Sequence, residues 1–135
     1  MKHYNIYNNS EPGLENFSDN RGTIADIFFK QSINHGCIIT NSPGAVRGNH
    51  YHKLTTQYTY ILSGSLDYYS KPVDSAESAK VVTAGVGDFV ISEPMEIHAM
   101  KSGQGGCTFI AFASGTRGGE DYESDTTRVD SIIPL

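Results

Sequence analysis

Three histidines and one glutamine fall at spacings that suit a shared divalent ion: Gly44-x5-His50-x-His52-x4-Gln57-x6-Gly64, then Gly87-Asp88-x5-Pro94-x3-His98. His50 and His52 are two apart, so on a strand both side chains point to one face. Gln57 follows after a short bend, and His98 arrives from a second strand-turn unit about forty residues later. Three imidazoles and an amide oxygen can close on one metal and still leave coordination positions open to a substrate. His3 and His35 lie outside the pattern. A neutral amide compensates an ion's charge less than a carboxylate would, so the set suits polarising a carbonyl or enediol without redox change. Nickel, zinc, manganese and iron all fit these donors. The alternative is that Gln57 hydrogen-bonds a histidine and no metal binds.

The elements that would carry these residues are short strands. Fourteen glycines and eight tyrosines in 135 residues favour an all-β fold with many turns. Strand patterns recur over residues 23–29, 37–40, 57–62, 65–69, 80–82, 89–92 and 108–113, separated by turns bearing glycine or proline. Residues 71–79 are polar and read as an insertion loop, with a short helix near 74–79. Many strands with turns every eight to twelve residues imply a sandwich or barrel. The early histidine pair and the late lone histidine fit a double-stranded β-helix (jelly roll), in which inward-facing residues of both motifs meet at the mouth. Residues 1–135 read as one domain, with motif 1 at 44–64, motif 2 at 87–98 and a polar arm or lid at 115–135.

A net charge of −5 and a pI near 5.4 argue against nucleic acid or an anionic membrane as partner. With neither a transmembrane-length apolar run nor a secretory hydrophobic region at residues 1–10, the expected location is cytoplasmic. Cys37 and Cys107 lie in apolar strand patterns and are expected to be free, buried thiols.

Several residues flank the four ligands. Arg47 would fork onto a phosphate or carboxylate of a substrate, or form a surface salt bridge. Glu96 is either a solvated rim carboxylate or a general base over the mouth. Lys101 leans across the opening or is an exposed strand-end lysine. Tyr122 covers a substrate or anchors packing. Tyr58 and Tyr60 should face away from Gln57 and pack under a neighbouring strand or a dimer partner, and Arg21 should close the turn over residues 19–22.

The two motifs resemble those of the cupin superfamily, with Gln57 where a glutamate is usual and Met95 where a glycine is common. The resemblance spans residues 19–122. Within the superfamily, the strings DNRG (19–22), RGNHYHK (47–53), Ser63-Gly64-Ser65 and Glu120-Asp121-Tyr122 are similar to sugar-nucleotide-modifying cupins of surface-polysaccharide clusters. One likeness is to enzymes that epimerise a keto-sugar nucleotide, another to dTDP-4-keto-6-deoxyhexose 3,4-ketoisomerases. A third is to small cupins that ketonise unsaturated uronates and carry the same His-His-Gln-His set. In the ketoisomerases the paired histidines act as acid and base without a metal, which would give His50 and His52 that role.

Together the likenesses imply an isomerase or epimerase that moves a proton beside a carbonyl of a sugar or sugar nucleotide. The alternatives are a metal-dependent dioxygenase or lyase, and a non-catalytic sugar- or metal-binding module. A homodimer is expected, since single-domain cupins commonly pair through an N-terminal strand.

Overall fold

A computed structural model describes residues 1–8, 11, 13–115 and 120–135, with the side chains of 120 and 121 left aside. Ten strands dominate it: β1 (Lys2–Asn5), β2 (Asn16–Asp19), β3 (Gly22–Ala25), β4 (His35–Asn41), β5 (Val46–His52), β6 (Thr56–Pro72), β7 (Lys80–Gly85), β8 (Asp88–Ser92), β9 (Glu96–Ser114) and β10 (Thr126–Arg128). A short helix, α1 (Glu120–Ser124), precedes β10. None of the described helices is long and apolar enough to cross a membrane.

Two long strands organise the barrel. β6 and β9 pair antiparallel from Thr56↔Ser114 to Pro72↔Glu96, with register shifts at Ile61/Ser63 and Gly64/Leu66. Such bulges bend a strand and sharpen its twist. The bend brings Gly64 against Gly106, and a Cβ on Gly64 would lie 2.1 Å from the Gly106 carbonyl oxygen. The two strands therefore run through both walls of the barrel. Beyond them, β8 and β7 pair with β6, β5 and β4 pair with β9, β10 pairs with β5, and β1 pairs with β8; β2 and β3 form a separate hairpin.

Alternation along the strands builds two apolar clusters. Ile61, Leu66, Tyr68, Val90, Met100, Cys107 and Phe109 fill the barrel. Tyr4, Ile6, Tyr58, Tyr60, Phe89 and Ile91 pack on the outer side of β6 and β8. That outer face is dry because Leu14, Ala25, Ile27, Phe28 and Ile33 cover it, and the Tyr4 hydroxyl donates to the Ile27 carbonyl at 3.0 Å. Burying Phe89 and Phe109 fully contributes roughly 1.5–3 kcal/mol each.

Three expectations change here. The strand expected over 23–29 stops at Ala25, because the residues after it leave the hairpin to cap β6 and β8. Residues 74–79 contain no helix and form turns and bends between β6 and β7. Cys37 is exposed rather than core, since β4 pairs only with β9 and its inner face opens to a cavity. Cys107 is buried, and both thiols are free. The described part of the expected arm at 115–135 lies against the barrel as α1 and β10; residues 116–119 lie outside the described residues.

Candidate active site

Each histidine of the cluster is placed by a specific local feature. The register between β5 and β9 pairs Arg47 with Met100 and Gly48 with Ala99, then slips so that His50 pairs with His98. Without that slip, Arg47 and His50 would face opposite sides of the strand. The extra residue sits at Gly48-Asn49, where both φ angles are positive (90° and 55°). A Cβ on Gly48 would come within 2.6 Å of the His98 carbonyl oxygen, so only glycine allows β5 to lie this close to β9. Asn49 tolerates the left-handed conformation, and its side-chain oxygen accepts the Ile132 N–H at 2.9 Å.

Gly48→Ala is therefore expected to cost about 2–3 kcal/mol through left-handed strain and overpacking. It should also separate His50 from His98. Urea unfolding and histidine ring NMR shifts check this; unchanged values would mean that the bulge does not hold the site.

The imidazoles of His50, His52 and His98 each offer a nitrogen within 4.8 Å of the others. Their ring centroids are 4.7–5.3 Å apart. His52 and His98 are buried, whereas His50 reaches the cavity. Burial, together with His52 and Arg128 nearby, pulls the His50 pKa down to about 4 against a partial offset from Glu123. Burial also drives His98 well below the ordinary imidazole range, with His50 and His52 adding to the effect. Both rings are thus held neutral, the form that ligates metals. Behind them, Tyr68 stacks on His98 and hydrogen-bonds Ser92.

The C-terminal segment completes the site. Tyr122 places its hydroxyl 3.2 Å from His50 Nε2 and 3.3 Å from Gln57 Oε1, with the phenol proton directed to the amide. Burial, helped by Glu123 and Cys37, pushes this phenol up to about 12, so it stays protonated. The Asp125 carbonyl lies 3.2 Å from His52 Nδ1, and an N–H there would leave Nε2 as the lone-pair nitrogen. The Asp125 carboxylate accepts from the N–H groups of Lys53, Leu54 and Thr55 and from the Thr55 hydroxyl, fixing the bend between His52 and Gln57. β10 pairs Arg128 with His50 and Thr126 with His52, which brings the Arg128 side chain to the cavity.

A cavity of about 560 Å³ opens in front of His50, Gln57 and Tyr122. Arg47 and Arg128 stand at its edge, and Ile39, Met100, Phe109 and Phe112 form its apolar wall. Arg47 is held by Asn41 Oδ1 at 2.6 Å and the Thr40 carbonyl at 3.2 Å, leaving guanidinium donors for a ligand.

Two candidates lie elsewhere. Glu96 shares the inward parity of His98 and begins β9 two residues before it, but it pairs with the Met1 amino group at 2.6 Å and does not line the cavity. Lys101 is an odd number of residues from His98, so it points outward and is exposed. Sequence reasoning missed Arg128 and Asp125, because their roles depend on β10 pairing with β5. His35 and Cys37 also line the cavity, and their i, i+2 spacing on β4 was the available signal.

The barrel that encloses the imidazole cluster has a jelly-roll fold shared with solved RmlC-like structures. The chain belongs to the family described as the polysaccharide biosynthesis C-terminal domain, whose model matches residues 17–113. Among solved structures it is similar to the sugar 3,4-ketoisomerase QdtA from Thermoanaerobacterium thermosaccharolyticum in complex with TDP (TM-score 0.68, 23% identity, covering 87% of this chain and 85% of that one). It also resembles dTDP-4-dehydrorhamnose 3,5-epimerase from Elizabethkingia anophelis (TM-score 0.74, 12% identity, 90% and 76% covered). A third likeness is to the rmlC epimerase of Mycobacterium tuberculosis (TM-score 0.70, 16% identity, 96% and 73% covered). At these identities the likenesses establish the fold. No curated protein matches the chain.

Proposed function

We propose that this protein is a keto-sugar isomerase or epimerase that moves a proton between carbons beside the carbonyl of a nucleotide-linked sugar, in polysaccharide biosynthesis. The observation that carries the reading is a protonated phenol, Tyr122, set between His50 and Gln57 at the head of the cavity. A phenol there can donate to an oxygen that gains negative charge as a neighbouring C–H is lost. Arg47 and Arg128 suit the diphosphate, as guanidinium forks do. The apolar wall excludes water from the reacting carbons. Neighbouring structures solved with TDP and with TDP-4-keto-6-deoxyglucose support a sugar-nucleotide ligand of this kind.

The proposal includes a divalent transition ion (zinc, nickel, manganese or iron) held by His50, His52, Gln57 and His98. The donors fit: among the described residues, neither nitrogen of His98 nor Nε2 of His52 has a hydrogen-bond partner, and all three are buried. Such orphaned atoms in a neutral imidazole cluster are what a metal would satisfy. When bound, the ion supplies Lewis acidity toward a carbonyl oxygen. This donor set contains no carboxylate, the anionic ligand that non-haem iron oxygen chemistry favours. The proposal also takes the chain to work as a cytoplasmic homodimer.

Two measurements test the reading. Incubation with TDP- and UDP-linked 4-keto-6-deoxy sugars in deuterated water should place deuterium beside the carbonyl, and no exchange with any of them would overturn it. Elemental analysis of protein purified without added metal should give about one ion per chain, falling to background in His98→Ala. A metal-free wild type would remove the ion and return the proton to His50.

A further inference from the structure

We propose that His35 is a catalytic residue, the base that removes the substrate proton from the wall opposite the three-histidine cluster. The inference rests on the function proposed above and supplies its missing part. A nitrogen that ligates a metal has no lone pair left for a proton, so His50, His52 and His98 cannot hold the ion and also act as base. The cavity contains one other imidazole, that of His35.

The strand register fixes where it stands. His35 pairs with Ala113 on β9, and Ala113 pairs on its other side with Gln57 on β6. Residues aligned across neighbouring strands share a face, so His35, Ala113 and Gln57 all face the cavity. With strands ~4.8 Å apart, the backbones of His35 and Gln57 lie roughly 10 Å from each other. One row further along, Cys37, Ala111 and Thr59 repeat the pattern. The alanine methyls make a low floor between the flanking side chains, with room for a sugar ring above it. The outer wall is formed by the β5 and β10 residues His50, Arg47 and Arg128.

Among the described residues, no hydrogen bond commits the His35 ring to a structural role, and the ring is half-buried rather than sealed in the core. Imidazole is also the side chain whose ordinary titration range suits proton transfer near neutral pH.

The step balances within the cavity. A neutral His35 nitrogen takes the proton from the carbon beside the carbonyl. The C–H electron pair becomes the new C=C bond, and the carbonyl π pair moves to oxygen, which takes the Tyr122 proton. The enediol then collapses: its O–H proton returns to the Tyr122 phenolate as the carbonyl re-forms, and the His35 imidazolium, whose proton exchanges with solvent, gives a proton back to carbon and is neutral again.

The test uses the full chain with TDP-4-keto-6-deoxyglucose and its UDP counterpart in deuterated water, followed by NMR. His35→Gln should lower the exchange rate 100-fold or more, the scale of a lost general base. TDP affinity should stay within twofold and the melting temperature should be unchanged. Imidazole added to His35→Ala should restore at least tenfold of the lost rate. Exchange in His35→Gln within threefold of wild type would overturn the assignment while leaving the proposed function standing. So would a loss of exchange matched by lost TDP binding or lost stability, or a failure of imidazole to rescue. A wild type that exchanges nothing is the separate result that removes the function itself.

Discussion

Asp125→Ala is expected to destabilise the protein by about 4 kcal/mol and to disorder the imidazole cluster. The carboxylate accepts from Lys53 N–H at 3.0 Å, Leu54 N–H at 3.1 Å, Thr55 N–H at 2.9 Å and the Thr55 hydroxyl at 2.7 Å. Hydrogen bonds to a charged group are worth about 1.5–3 kcal/mol each, but a shared acceptor makes them less than additive. Thr55 is fully buried, so water cannot replace the lost acceptor. Asp125→Asn keeps one acceptor oxygen and should cost about half as much.

The effect reaches the site because the bend held by Asp125 lies between His52 and Gln57, and its own carbonyl faces His52 Nδ1. Urea unfolding measures the first consequence, and ¹⁵N shifts of the His52 ring report the second through its tautomer. An alanine variant as stable as the parent would show that the loop is held by something other than this carboxylate.

Metal-free protein should lose stability steadily as the pH falls from about 6.5 toward 4. An unfolded histidine titrates near 6.5, whereas burial holds the folded His50 at about 4 and His98 well below its ordinary value. Between those limits the unfolded chain binds protons that the folded chain refuses, so acid favours unfolding. Each such group contributes a slope of up to ~1.4 kcal/mol per pH unit.

Burial alone would raise the Asp125 carboxyl, but its hydrogen bonds from Thr55, Leu54 and Lys53 outweigh that and hold it below the usual range. Its contribution is present above the ordinary carboxyl pKa and fades as pH drops through the lowered folded value, so the loss continues into stronger acid. Chemical unfolding at pH 7, 6, 5 and 4 after dialysis against a chelator reads the trend. A flat profile over that range would mean the cluster accepts protons while folded.

Much of this site was legible because a strand's period of two is a local property. His50-x-His52 places two imidazoles on one face whatever the rest of the chain does. Gln57 carries that face past a bend, and the turn at Gly87-Asp88 returns the chain toward His98. The same alternation put Tyr58 and Tyr60 opposite Gln57, and the structure packs them under residues 14–33. Glu96 shows where parity stops helping: the direction was right, but a partner 95 residues away took the carboxylate. Cys37 looked like core because its apolar neighbours gave no sign that β4 borders a cavity.

The strand-rich barrel, the three converging imidazoles and the free thiols follow from residue type and spacing over a few residues. The bulge at Gly48-Asn49, which turns Arg47 and His50 to the same side, emerges only from long-range strand pairing. The same is true of β10, whose pairing brings Arg128 beside His50 and sets Asp125 and Tyr122 against the site, and of the register through Ala113 that places His35 on the same face as Gln57. Cross-strand register depends on partners tens of residues away, and one inserted residue reverses every side chain after it. Local patterns carry no record of that choice.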